Sequence, residues 1–164
     1  MAHQAGSAAD LERLMEEYGT GLLRLCALHL GDAALAEDAA QETLLRAWRR
    51  YGTFRGEAAE RTWITAIALN VCRDLLRSPW HTRRMELSAL AEPSAEDAPW
   101  DDTPLRAVLS LPRKYREVVL LRYYEEFTVE EIADTLGIAP GTVSARLTRA
   151  KRRLRPMLEE WYYD

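Results

Sequence analysis

The chain has only two cysteines, Cys26 and Cys72, and its three histidines, His3, His29 and His81, form no metal-spaced partnership with them. Both thiols sit inside apolar helical patterns and read as small buried hydrophobes, which argues against zinc and dithiol redox chemistry. Glycine (8), proline (7) and phenylalanine (2) are scarce in 164 residues while Ala, Leu, Glu and Arg abound, so hairpins are disfavoured and helices favoured. No apolar run approaches the roughly 20 residues that cross a bilayer. Residues 1–7 lack the basic end and apolar stretch of a signal peptide. The expectation is an all-α cytoplasmic protein with no membrane insertion. A glycine-rich phosphate loop, G-x-S-x-G, H-E-x-x-H and a Cys–His pair are also missing. No catalytic residue, metal or cofactor is therefore assigned.

The net charge of −4 looks unfavourable for a nucleic-acid binder, but the charge is segregated. Residues 1–77 carry −2, 78–104 carry −4, 105–155 carry +5 and 156–164 carry −3. The positive excess comes from Arg146, Arg149, Lys151, Arg152, Arg153 and Arg155, with no acid between positions 140 and 155. That is the electrostatic footprint of a nucleic-acid-binding helix.

Leu11, Leu14, Met15, Tyr18, Leu22, Leu25 and Cys26 recur at helical spacing, predicting a first helix that stops at Gly31. Asp32 is placed to cap a second, with Leu35, Ala36, Ala39, Ala40, Leu44, Ala47 and Trp48 inward and Gly52 as its C-terminal signal. The outer side shows Glu37, Asp38, Gln41, Glu42 and Arg46. A third helix carries Trp63, Ile64, Ile67, Ala68, Val71 and Leu75 and ends near Ser78, before Pro79. Residues 78–104 hold four prolines and a surplus of acids with no sustained apolar period, the composition of a flexible linker. A short turn at Leu87 and Leu90 is the one element expected there. Two small helical domains follow, at 8–78 and 105–158, joined by 79–104.

The second domain opens with Leu105, Val108, Leu109 and Leu111, then Pro112 near the start of a helix with Tyr115, Val118, Val119 and Arg122. Thr128-Val-Glu-Glu131 has the spacing of a capping box. The helix it starts runs through Ile132, Ala133 and Leu136 to Gly137. Pro140 and Gly141 then begin another, with Val143, Leu147, Ala150 and Leu154 on one side. Helix, tight glycine turn and cation-loaded helix make a helix-turn-helix.

On that last helix Thr142, Ser144, Ala145, Thr148 and Arg149 occupy the early exposed turns, where base edges are reached. Arg146, Lys151, Arg152, Arg153 and Arg155 are suited to phosphates, so the first set supplies sequence preference and the second affinity. Phe54, Trp63, Asn70, Arg73, Asp74 and Arg77 surround the third helix with the aromatic and polar groups that bind single-stranded DNA. From the residues alone core packing is the preferred reading of Trp63, with stacking on bases the alternative, and for Trp48 core packing is preferred more strongly still. Two rivals remain at this level: a self-sufficient helix-turn-helix regulator whose first domain dimerises or senses a ligand, and a hydrolase using a metal at Glu37, Asp38 and Glu42.

Three ordered blocks resemble a bacterial sigma factor of the extracytoplasmic-function (ECF) group, which has only the second and fourth sigma domains. Ala36-Glu-Asp-Ala-Ala-Gln-Glu-Thr-Leu-Leu-Arg-Ala-Trp48 is similar to the family's polymerase-docking helix. Arg61-Thr-Trp-Ile-Thr-Ala-Ile-Ala-Leu-Asn-Val-Cys-Arg-Asp-Leu-Leu-Arg77 is similar to its −10 helix. Leu111-Pro-Arg-Lys-Tyr-Arg-Glu-Val-Val-Leu-Leu-Arg-Tyr123, Thr128-Val-Glu-Glu-Ile-Ala133 and Gly141-Thr-Val-Ser-Ala-Arg-Leu-Thr-Arg-Ala-Lys151 are similar to its −35-binding unit. The resemblance implies that Asp38, Gln41, Glu42 and Leu45 dock on core RNA polymerase. It implies that Arg61, Asn70, Arg73 and Arg77, with the 53–60 loop, engage the melted −10 strand beside Phe54 and Trp63. Thr142, Ser144, Ala145, Thr148 and Arg149 would read the −35 duplex, with Arg146, Lys151 and Arg153 on its backbone. The family commonly has a basic residue followed by Ser where this chain has Ser144-Ala145, and Ser where Ala139 stands. An anti-sigma partner is implied as well, and Trp161-Tyr162-Tyr163 either contacts it or packs on the second domain. On this reading the two domains are loosely joined and the free protein binds promoter DNA poorly.

Overall fold

The computed structural model describes residues 4–56, 59–79, 83 and 103–163, with 103 and 160–163 as backbone only. Nearly all of the 79–104 linker, with its expected turn at Leu87 and Leu90, and the side chains of Trp161, Tyr162 and Tyr163 lie outside the described residues. Among those described there are helices and turns and no strand. The all-α expectation holds.

Three helices form the first half: α1 (Ala8–Leu30), α2 (Ala33–Arg49) and α3 (Glu60–Arg77), with a 3₁₀ turn at Tyr51–Thr53. Local chemistry places their ends. Ser7 and Asp10 make a capping box, the Asp10 amide donating to Ser7 Oγ at 3.1 Å and the Ser7 amide to Asp10 Oδ2 at 2.7 Å. Gly31 closes α1 at φ 65°, and Asp32 Oδ1 accepts from the Leu35 amide at 3.0 Å to open α2. Gly52 serves differently from the expected helix stop. A Cβ there would lie 2.6 Å from the Gln4 carbonyl oxygen, which accepts the Gly52 amide at 3.0 Å, so the residue permits a close backbone approach.

The shared core of this half holds Leu14, Leu22, Leu25, Leu44, Ile64 and Val71, with both cysteines buried in it as free thiols. Met15, expected on the same stripe, is 54% exposed because α2 and α3 cover only the flank carrying Leu14, Leu22 and Leu25. Trp48 is half-buried and its indole N–H donates to the Ser7 carbonyl at 2.9 Å, pinning the N-terminal segment.

The second half comprises α4 (Thr103–Ser110), α5 (Arg113–Val119) running into a π-turn at Leu120–Tyr124, α6 (Val129–Leu136) and α7 (Pro140–Tyr163). Val143 and Leu147 of α7 pack with Phe127 and Ile132, while Ala150 and Leu154 pack with Val108, Tyr115 and Val119. The predicted apolar face of α7 is thus buried along its length. The expectation of loosely joined halves is corrected. Leu69 of α3 is 2% exposed and buried in the cluster of Val118, Leu121 and Phe127, and Leu28 of α1 packs against the cluster of Tyr115, Val119 and Leu120.

Candidate nucleic-acid interface

The helix-turn-helix is built as its residues specify. Thr128 Oγ1 accepts from the Glu131 amide and Glu131 Oε1 from the Thr128 amide, both at 3.1 Å. Two of the orphan donors at the start of α6 are thereby satisfied. Gly137 adopts φ 66°, and the Ile138 amide returns to the Ala133 carbonyl at 3.1 Å, which turns the chain into α7 within a few residues.

Thr142, Ser144, Ala145, Thr148, Arg149, Lys151 and Arg153 are exposed on α7, and Arg146 is half-buried. The Thr148 hydroxyl donates to the Ser144 carbonyl at 3.0 Å, which leaves it an acceptor towards a ligand. Aromatic rings brace the cations. Arg153 lies 4.9 Å and Lys114 5.1 Å from the Tyr115 ring centre, and Lys151 lies 5.8 Å from that of Tyr123. Burial alone would raise the Tyr115 phenol, but Lys114, a hydrogen bond from Arg149 and the charges of Arg149 and Arg153 bring it below its ordinary value. Tyr115 entered the sequence reading only as a core position. Its bracing role had no signal there, since the cations it touches lie more than thirty positions away except for its neighbour Lys114.

On α2, Glu37, Asp38, Gln41 and Leu45 face outward, Leu45 being 36% exposed. Glu42 is half-buried and already engaged: its Oε1 accepts from Arg46 Nε at 2.9 Å, and Arg46 reaches Asp74 Oδ2 at 3.4 Å. Asp38 and Gln41 are therefore the more available pair.

The aromatic groups near α3 come together. Phe54 and Trp63 have ring centres 5.1 Å apart, with Tyr51 at 6.3 Å from each. Both Phe54 and Trp63 are half-buried, so the cluster is anchored in the core yet keeps accessible surface. Glu60, placed in the strand-binding loop by resemblance, turns inward instead. Its carboxylate takes two hydrogen bonds from Arg13, each at 2.8 Å, and one each from the hydroxyls of Tyr18 (3.0 Å) and Tyr51 (3.1 Å). A carboxylate so enclosed repays its desolvation only by such pairing.

Asn70 and Arg77 are exposed on α3, whereas Arg61 and Arg73 are held by the second half. Arg73 forks onto Glu117, Nε to Oε1 and Nη2 to Oε2, both at 2.9 Å. Arg61 Nη2 donates to the Glu125 carbonyl and, at 3.1 Å, to Glu125 Oε2, with its guanidinium 4.6 Å from the centre of the Phe127 ring.

The geometry defines a helix-turn-helix protein with an accessible cationic helix and a separate acidic helix face. The family description "Sigma-70 region 2" matches residues 14–82, and "Sigma-70, region 4" matches residues 105–154. The chain is 35% identical to the ECF RNA polymerase sigma factor SigL of Mycobacterium tuberculosis, over 95% of this chain and 93% of that one. It is 28% identical to the ECF RNA polymerase sigma factor SigW of Bacillus subtilis, over 90% and 88% of the two chains. Its fold resembles that of the sigma factor RpoE in complex with the anti-sigma factor NepR from Bartonella quintana. The TM-score there is 0.74 at 23% identity, covering 93% and 98% of the chains. CnrH, solved in complex with the cytosolic domain of CnrY, gives 0.71 at 24% identity, covering 94% and 91%. The chain belongs to the sigma-70 family and, within it, to the ECF RNA polymerase sigma factors.

Proposed function

We propose that residues 8–78 dock on core RNA polymerase through Asp38, Gln41 and Leu45, with Glu42 contributing once Arg46 releases it. The same unit holds the melted −10 strand with Phe54, Trp63, Asn70, Arg73, Arg77 and Arg61. Residues 105–158 anchor the upstream duplex, Thr142, Ser144, Ala145, Thr148 and Arg149 facing base edges and Arg146, Lys151 and Arg153 facing phosphates. Residues 79–104 join the two. The chain itself makes and breaks no bond. It offsets the few kcal/mol of unstacking by capturing bases on the aromatic group, and it works in the cytoplasm beside polymerase and DNA. An anti-sigma partner restrains it, as the complex of RpoE with NepR suggests by analogy.

The observation that carries the reading is the α7 face, acid-free and exposed from Thr142 to Arg153 while Val143, Leu147 and Ala150 seat it on the rest of the unit. Run-off transcription and gel shift with and without core polymerase test it, using wild type and Asp38→Arg/Gln41→Ala. Polymerase-dependent initiation that falls about tenfold or more in the variant is expected for a charge reversal at a docking surface. Tight DNA binding without polymerase, and no initiation with it, would replace the reading with a self-sufficient regulator.

A further inference from the structure

Phe54 and Trp63 meet across a break in the helices, one on each side of the loop that joins the 3₁₀ turn Tyr51–Thr53 to α3. Three residues before each ring stands one partner of a single hydrogen bond. Tyr51 precedes Phe54, Glu60 precedes Trp63, and the Tyr51 hydroxyl donates to Glu60 Oε2 at 3.1 Å. Arg13 of α1 locks that bond from behind: its fork donates to both Glu60 oxygens at 2.8 Å, and Nη2 also donates to the Tyr51 hydroxyl at 2.9 Å. Tyr18 donates to Oε1 of the same carboxylate at 3.0 Å. Ala59, at the N-cap of α3, supplies no side-chain cap, and the Glu60 carboxylate next to it is committed to this network. Ring contacts alone tolerate sliding, since aromatic pairs are favourable over a range of offsets and tilts, whereas a charge-assisted fork is directional.

We propose that Arg13, Glu60 and Tyr51 are positioning residues for strand capture: they fix the separation of the two segments that carry Phe54 and Trp63, so that the ring pair is set before a base of the melted strand reaches it. The role in capture rests on the assignment of Phe54 and Trp63 to that strand; the network's hold on the turn does not. None of the three needs to touch DNA. Glu60 would repel a phosphate if it faced one, and its side chain, 17% exposed, is turned to Arg13 instead. Rings ordered in advance by their supporting groups lose little to ordering when a base arrives. Misplacement is costly, because a radial gap of about 0.5–1 Å already forfeits a quarter to a half of a dispersion contact.

The test uses the full chain, with core polymerase and without it. Tyr51→Phe removes the hydroxyl and keeps the ring, while Tyr18→Phe removes a hydroxyl from the same carboxylate and leaves Tyr51 in place. Run-off initiation is read on a duplex promoter that the wild-type holoenzyme transcribes, and on the same promoter mismatched, and so already open, at its −10 element. Tyr51→Phe is expected to lower initiation on the duplex about tenfold, roughly 1.4 kcal/mol, inside the ~1–3 kcal/mol that stacking of one base contributes. On the open template, where unstacking is already done, it should stay within about twofold of wild type. Tyr18→Phe is expected to match wild type on both. In the free chain the amides of Thr53 and Phe54 donate to the Arg50 and Tyr51 carbonyls at 2.8 and 3.1 Å, and they should exchange with deuterium about tenfold faster in Tyr51→Phe alone. Equal losses on both templates, or the same loss in Tyr18→Phe, would reduce the network to a structural prop and overturn the proposal. Unchanged amide exchange in Tyr51→Phe would overturn it as well. Failure of the wild type to initiate with core polymerase on any promoter offered would overturn the strand assignment instead, and the exchange rates would still decide whether the network holds the turn.

Discussion

Glu60 illustrates how far a residue's neighbours outweigh its place in the chain. Arg13 first, and then the Tyr18 and Tyr51 hydroxyls, hold its carboxyl below the usual range against the opposing effect of burial. Burial and the same carboxylate push the Tyr18 phenol up to about 12. A carboxyl whose folded pKa lies below its unfolded value contributes stability above the unfolded value of about 4.3, and loses it as the pH falls through the folded one. Glu60→Gln is expected to cost about 1–3 kcal/mol at neutral pH, measured by urea unfolding, and to flatten the acid limb of the stability profile below pH ~4. Its sequence position suggested a loop acid near DNA. The Arg13 partner, 47 positions away, is visible only in the fold.

At the scale of elements, caps were legible because they are local. Ser, Thr or Asp within three residues of a helix start needs no distant partner, and Asp32, Thr128, Gly31 and Gly137 all perform as their residue types specify. Thr128→Ala should destabilise α6 by about 1 kcal/mol and lower the Tm by several degrees, read by circular dichroism melting. The π-turn at Leu120–Tyr124 and Glu126 at φ 57° were not legible, because strain there is held by packing around Phe127 rather than by any turn residue. His29, at the end of α1, belongs to this scale as well. It is fully enclosed, its Nε2 has no hydrogen-bond partner, and burial together with Arg116 and Arg73 pushes its pKa down to about 3. Glu117 is the acid paired with Arg73 beside it. The neutral ring is therefore the folded form. Its contribution is fully present above the unfolded value of about 6.5 and is lost as the pH falls from there towards 3. His29→Gln should remove on the order of a few kcal/mol of that acid sensitivity, seen as a smaller loss of Tm between neutral pH and pH 5.

At the scale of the molecule, polymerase dependence and stability are distinct properties. Asp38→Arg, on an exposed face of α2, should leave the Tm within a few degrees while lowering polymerase-dependent initiation, since surface substitutions away from packed groups change stability by at most about 0.5 kcal/mol. Under the proposed assignment promoter binding should weaken steeply with added salt, with Arg73 and Arg77 displacing counterions from the melted strand and the cations of α7 displacing them from the upstream duplex. The blocks that place the chain among the ECF sigma factors were readable in order along it, and the matches at 14–82 and 105–154 fall where they stand. The closed arrangement was not readable. Leu69 lies off the stripe of Ile64, Ile67, Ala68 and Val71 that faces α1 and α2, so helical periodicity alone leaves it facing solvent.

What the sequence determined by itself is what short-range forces carry: the apolar period of the described helices, the caps between them, and the acid-free cationic stretch from 146 to 155 on one helix. What only the tertiary structure decided is which side chains are free to act. Arg77 remains exposed while Arg61 and Arg73 are occupied, because a guanidinium pairs with a carboxylate that packing brings within reach, and Glu117 and Glu125 arrive only after 44 and 64 positions of intervening chain have folded.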